Sequence, residues 1–188
     1  MIQDKALADA IHACTSCKRL VEARANAVPA MPGANYQPGG LAVWLDYPRQ
    51  AENRSGSPDT SILSSLLKLA DINRDDILLL MRVRCMPTRG RVEDYPEALV
   101  ACDEWSKKEL EYYNPNAVLL MGNTAARGVF GPTCNITAIR GSVRSTGSNY
   151  TYGARLFVPS FHPAAAIRNP ELQSIIVEDM KLAKSLLH

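Results

Sequence analysis

The sequence predicts an α/β fold in which a parallel sheet carries helices on both faces, and two sets of observations predict it. Apolar runs at 41–45 (LAVWL), 77–81 (ILLLM), 117–121 (AVLLM) and 156–158 (LFV) are continuous rather than alternating, as in strands buried on both faces. Between and after them, apolar residues recur at helical spacing: Ile62, Leu66, Leu67 and Ala70; Ala98, Cys102, Trp105 and Tyr112; Leu172, Ile175, Ile176, Met180, Ala183 and Leu187. Strand and helix patterns alternate, and in such sheets ligands sit beyond the carboxyl ends of the strands.

Taken in order, residues 1–40 form a polar segment with a C-x2-C pair, closed by a Pro/Gly-rich loop over 28–40. The loops after the four apolar runs carry DYPRQAENRSG from Asp46, RCMPTRGR from Arg84, GNTAARG from Gly122 and SFHPAAAIRNP from Ser160. Pro96 suits the first turn of the second helix, after Asp94 and Tyr95, and Pro170 does the same for the last helix with Asn169 as its cap. The Gly-rich stretch 141–153 reads as a hairpin or excursion, and there is no internal repeat or low-complexity tail.

A chain of 188 residues with 46% apolar and 21% charged side chains has the balance of one soluble globular domain, 1–188. No apolar run is longer than 77–81, far short of the roughly eighteen residues that suggest a membrane span. The N-terminus has acidic residues and no long apolar core, unlike a signal peptide, so the expected setting is a reducing cytoplasm. The expected state is a monomer. A net charge of +2 says little about nucleic acid. The basic set is more informative: 14 of its 21 members are arginine, the rigid fork that binds phosphate and carboxylate, and Arg82, Arg84, Arg89 and Arg91 fall within ten residues.

Five cysteines in a cytosolic chain point to metal ligands or core residues rather than disulfides. Cys14 and Cys17 form the C-x2-C; Cys85 follows a strand end, and Cys102 lies 17 residues later on a helix. Four such thiolates can hold zinc or an iron-sulfur cluster, which spacing does not separate, and the alternative is that Cys85 and Cys102 are small core residues. Cys134 has no partner in this pattern.

The run VLLMGNTAARGVFG, then ITAIRG, then FVPSFHPAAAIRNP resembles the second half of the family 4 uracil-DNA glycosylases, the iron-sulfur members of the uracil-DNA glycosylase superfamily. RVRCMPTRGR, followed by a Pro-Glu helix start and Cys102, is similar to that family's K-C-R-P-P-x-N-R segment and its cysteine-bearing helix. The resemblance extends over nearly the whole chain. It implies a three-layer α/β/α sandwich on a four-stranded parallel sheet, one [4Fe-4S] cluster on Cys14, Cys17, Cys85 and Cys102, and DNA as the partner. Base removal breaks an N-glycosidic bond, so a site must stabilise an anion on the departing base and place a water at a cationic sugar. The base must also be flipped into a pocket. His162 matches the family histidine beside the pyrimidine carbonyl, and Asp46 the carboxylate that orients water. Pro163 and Ala164 open the stretch to Ala166 that resembles the minor-groove loop, with Arg89, Arg91, Arg140 and Arg168 as phosphate contacts.

The resemblance breaks at the base pocket. The family's G-E-A-P-G-x-x-E-D corresponds here to 45–53, where only Pro48 and Glu52 agree; Leu45 and Arg49 replace glycines, and Asp46 is a shorter carboxylate. Asp59 stands where the family has its stacking Phe, and Met81 where an asparagine reads the uracil edge. A thioether lacks an amide's paired donor and acceptor. Asn123, after the third strand, is a conceivable substitute, or it caps the following helix. The expectation is a glycosylase acting on uracil or, in preference, on another modified pyrimidine. The rivals are an inactive iron-sulfur module that recognises a modified or flipped base, and a structural zinc domain.

Overall fold

A computed structural model describes residues 4–89, 91–147 and 150–187. Its sheet is mixed, with strands β1 (Met31–Pro32), β2 (Leu41–Leu45), β3 (Leu78–Met81), β4 (Ala117–Met121), β5 (Arg144–Ser145) and β6 (Leu156–Ser160) in the order β1-β3-β2-β4-β6-β5. The four central strands are parallel, as expected, but β1 and β5 add antiparallel edges, so the expected four-stranded parallel sheet is corrected to six strands among the described residues. Both edges are two residues long, too short to carry a period. Pro32 lacks a backbone donor, and Arg144 and Ser145 are exposed, which suits an edge and leaves no apolar pattern to read. β5 falls within the stretch expected to form a hairpin, of which Ser148 and Asn149 lie outside the described residues, as do Met1 to Gln3, Gly90 and His188 of the expected single domain.

Continuous burial of the central strands follows from helices on both faces. One face, with Val43, Leu45, Leu79, Met81, Leu119, Met121 and Val158, packs against helices α4 (Ser61–Leu69) and α9 (Leu172–Ser185). The opposite face, with Trp44, Leu80, Leu120 and Phe157, packs against α5 (Pro96–Tyr113) and α6 (Asn123–Phe130). A separate core joins α1 (Lys5–His12) and α2 (Lys18–Val21) to the loop after β3 and the start of α5, through Ile11, Leu20, Ala27, Val83, Val92, Tyr95 and Ala98. Three of the cysteines, Cys17, Cys85 and Cys102, belong to this core.

The register sets where the parallel strands stop. Met81 pairs with Leu45, Leu45 with Met121, and Met121 with Ser160, so the four carboxyl ends form one row. The pairing runs slightly further, with Arg82 N–H donating to the Leu45 carbonyl (2.7 Å) and Val83 N–H to that of Asp46 (3.0 Å).

Candidate active site and cysteine centre

Asp46 follows β2 directly and is buried. Its Oδ1 accepts from Ala125 N–H (2.8 Å) in the first turn of α6, so the carboxylate answers that helix's unpaired N-terminal donors. Gly122, which opens α6 at φ +118, makes this possible: a Cβ there would stand 2.1 Å from Asp46 Oδ2. Gly122 N–H in turn donates to the Ser160 carbonyl (3.0 Å), linking the ends of β2, β4 and β6. Burial pushes the Asp46 carboxyl up to about 7, against the opposing pull of the Ala125 hydrogen bond and the Arg49 charge.

His162 lies two residues beyond β6. Its Nδ1 accepts from Ala164 N–H (3.1 Å), which fixes the remaining ring proton on Nε2 in the neutral form. Burial pulls its pKa down to about 4, helped by the positive charges of Arg49 and Arg168, so the ring is neutral at ordinary pH. Pro163 is buried and Ala164 half-buried at the start of the short helix α8 (Ala164–Arg168), while Ile167 and Arg168 project into solvent at its end. Ile167 is 66% exposed, a large apolar side chain beside an arginine on the loop that bears the histidine.

Arg49, which replaces a family glycine, has a role the sequence does not show. It is exposed, stands over the Tyr47 ring (5.0 Å) and acts electrostatically on both Asp46 and His162. Pro48 is buried beneath it in the turn into α3 (Gln50–Ser55), where Glu52 Oε2 accepts from Arg49 N–H (3.1 Å). Only spacing within that first motif could have signalled Arg49's position.

The remaining pocket residues are distributed differently from the sequence reading. Met81 is buried in the core face beside Leu45 and Met121. Asp59 is engaged elsewhere: its carboxylate pairs with Arg74 Nε (3.0 Å), in the turn preceding β3, and accepts from Ser64 Oγ (3.0 Å). Asn123 is exposed, and its Oδ1 accepts from Ile136 N–H (3.1 Å), tying α6 to α7 (Ile136–Ile139) rather than capping its own helix. Arg89 and Arg91 are exposed in the loop after β3. Arg140 is engaged instead: Asp179 of α9, buried and also bound to Ser160 Oγ (2.8 Å), holds its guanidinium through both carboxylate oxygens.

Cys14, Cys17, Cys85 and Cys102 line one small cavity of about 10 Å³, walled also by Ile11, Val21, Ala27, Arg24, Arg84 and Trp105. Cys134 is elsewhere, beside Arg127, which donates to its carbonyl (3.2 Å). Among the described residues no group of three or more His, Cys, Asp or Glu side chains is arranged to hold a metal ion. The donor chemistry nevertheless suits a thiolate-ligated group. Burial, and then the charges of Cys102, Cys14 and Cys85, push the Cys17 thiol up to about 12, a mutual repulsion that bound metal would relieve. Two N–H groups address the sulfurs: Arg24 Nη1 donates to Cys85 Sγ (3.3 Å), and Trp105 Nε1 to Cys14 Sγ (3.4 Å). Sequence reasoning missed both, although Trp105 lies one turn beyond Cys102 on α5. Behind the cavity Arg84 is fully buried, with Glu109 as its ion-pair partner and Ser106 Oγ (2.8 Å) and the Cys102 carbonyl (3.3 Å) as acceptors.

Residues 46–181 match the family described as the uracil DNA glycosylase superfamily. The type-4 uracil-DNA glycosylase of Saccharolobus solfataricus is 28% identical over 190 aligned residues, covering 96% of this chain and 85% of that protein. Its counterpart in Thermotoga maritima is 31% identical, over 74% of this chain and 73% of that protein. That of Archaeoglobus fulgidus is 23% identical over 94% and 91%.

Proposed function

The chain belongs to the uracil DNA glycosylase superfamily, and from that premise we propose that it releases a modified pyrimidine from DNA in preference to plain uracil, with His162 and Asp46 as the reacting site. It is a DNA glycosylase, a hydrolase of N-glycosyl bonds. The observation that carries the reading is the state of His162. It is neutral, Nδ1 is engaged by Ala164, and Nε2–H is the one ring donor left.

As the C1′–N1 bond breaks, its electron pair passes to the base and spreads to the carbonyl oxygens. The Nε2–H of His162 would hold that charge by hydrogen bonding, without prior proton transfer. Arg49, exposed and within electrostatic reach of His162, adds positive potential where the anion forms. Water completes the step by delivering hydroxide to C1′ and its proton to a base. Asp46 serves as that base only when ionised, which its burial allows above about pH 7. The exposed Arg89, Arg91 and Arg168 would meet DNA phosphates, with Pro163 and Ala164 shaping the loop beside the groove. Arg140 supports that loop from behind through Asp179 and Ser160.

The preference against uracil rests on Met81 and Asp59. Methionine in the sheet core offers no amide to uracil's N3–H and O4, and Asp59 is committed to Arg74. Asn123 is exposed beside Gly122 and would offer its Nδ2 group to a base edge, its Oδ1 being held by Ile136 N–H. The same two observations favour a second reading, an inactive module that binds a modified or flipped base.

At the cysteine cavity the fitting group is a [4Fe-4S] cluster on Cys14, Cys17, Cys85 and Cys102. It would supply a covalent tie between the N-terminal segment, the loop after β3 and α5. Single-turnover assays with oligonucleotides carrying uracil, hydroxymethyluracil, other modified pyrimidines and hypoxanthine test the reading. Release of one modified pyrimidine well above uracil is expected; efficient uracil release would refute the preference, and binding without release of any base would establish the second reading.

A further inference from the structure

We infer that Arg24 and Trp105 are positioning residues of the cysteine centre, which set the charge state of a bound iron-sulfur cluster by donating hydrogen bonds to the thiolates of Cys85 and Cys14. The inference rests on the cluster reading above. Its own ground is geometric: two N–H groups from separate segments end on two of the four sulfurs, at 3.3 and 3.4 Å. Neither contact is needed to satisfy backbone polarity. An indole N–H has one donor and directs it at Cys14 Sγ.

Each donor also crosses from one cysteine segment to another. Arg24 follows α2, and its second amino group donates to the His12 carbonyl (2.7 Å), so one guanidinium bridges the N-terminal segment to Cys85. Trp105 is on the Cys102 helix and reaches back to Cys14. The contacts tie the N-terminal segment to Cys85 and the Cys102 helix to Cys14.

Their electrical consequence follows from the charge on sulfur. A hydrogen bond to a cluster thiolate draws off negative charge, lowers the cost of adding an electron and raises the reduction potential. Arg24 adds a full positive charge in a partly buried setting, where screening is weak. Trp105 adds only a dipole. Arg24 should therefore have the larger effect.

The test is a mediated redox titration of the anaerobically purified native protein and its Trp105→Phe, Arg24→Lys and Arg24→Gln variants, each with iron counted per chain. Resonance Raman of the Fe–S(Cys) stretch serves as a second readout that needs no reduction. Trp105→Phe keeps the ring and removes one donor. Its potential should fall by up to a tenfold change in the reduced-to-oxidised ratio, 59 mV for one electron, and the stretch should move to higher frequency. Arg24→Gln should shift both further, with Arg24→Lys recovering part of the change. Variants with four irons per chain and unshifted potential and stretch would overturn the inference. Native protein that holds zinc or no metal would instead remove the cluster reading on which it rests.

Discussion

The two centres of this protein are built in different ways. The pocket at the strand ends is fixed by sheet register: Asp46, Gly122 and Ser160 are neighbours because Leu45, Met121 and Ser160 end one row of paired strands. The cysteine centre has no sheet beneath it. Its walls come from an N-terminal segment, a loop and one helix, held by a small core, by the Arg84–Glu109 pair, and by Asn53 Oδ1 accepting from Ala25 (3.1 Å) and Asn26 (3.3 Å). A pocket made by register survives loss of a side chain, whereas a centre assembled from separate segments depends on each tie. Chemistry is therefore the fragile property of the first and stability that of the second.

The largest effect expected from breaking that contrast is at Glu109. Glu109→Ala would strand the buried Arg84 charge beside the cysteine cavity, costing about 3–5 kcal/mol, with a matching loss in denaturant unfolding. His162→Ala should cost less stability than Glu109→Ala and slow single-turnover release by about 10²–10³-fold. Undiminished release in that variant would remove His162 from the reaction. Cys85→Ser should bleach the protein and expose residues 4–27 first to limited proteolysis, while the sheet keeps its circular dichroism. Arg168→Ala should weaken all DNA sequences alike and lower the salt slope by about 0.9; a sequence-dependent loss would count against a phosphate contact.

The last effect, on pH dependence, separates two groups within one pocket. Asp46 is raised in the fold from 3.8 to about 7, so the stability it contributes is full below about pH 4 and is lost as pH rises through 7. His162 is lowered from 6.5 to about 4, so its contribution is full above about 6.5 and is lost as pH falls through 4. The two slopes oppose each other between about pH 4 and 7. Asp46→Asn should leave a stability that rises with pH across that window, and His162→Gln one that falls, measured by urea unfolding. Catalysis should rise with pH through about 7 if ionised Asp46 is the base, and that limb should vanish in Asp46→Asn.

The central strands, the main helices and the loops that carry the site are legible in the chain alone. Buried strands and amphipathic helices impose local periods, and LAVWL, AVLLM and Pro96 show theirs without reference to anything distant. The sequence also singled out the four cysteines that line one cavity in the fold. The partners of individual side chains emerge only from the folded arrangement. Asp46 reads as an open carboxylate until α6 is seen to bring Ala125 N–H to it, Arg140 as a free cation until Asp179 closes on it from 39 residues away, and Asp59 as a pocket residue until Arg74 claims it. The two-residue edges β1 and β5, and the N–H groups of Arg24 and Trp105 on sulfur, were hidden for the same reason. A long-range hydrogen bond or ion pair depends on where two elements meet, and no local period in the chain encodes that meeting.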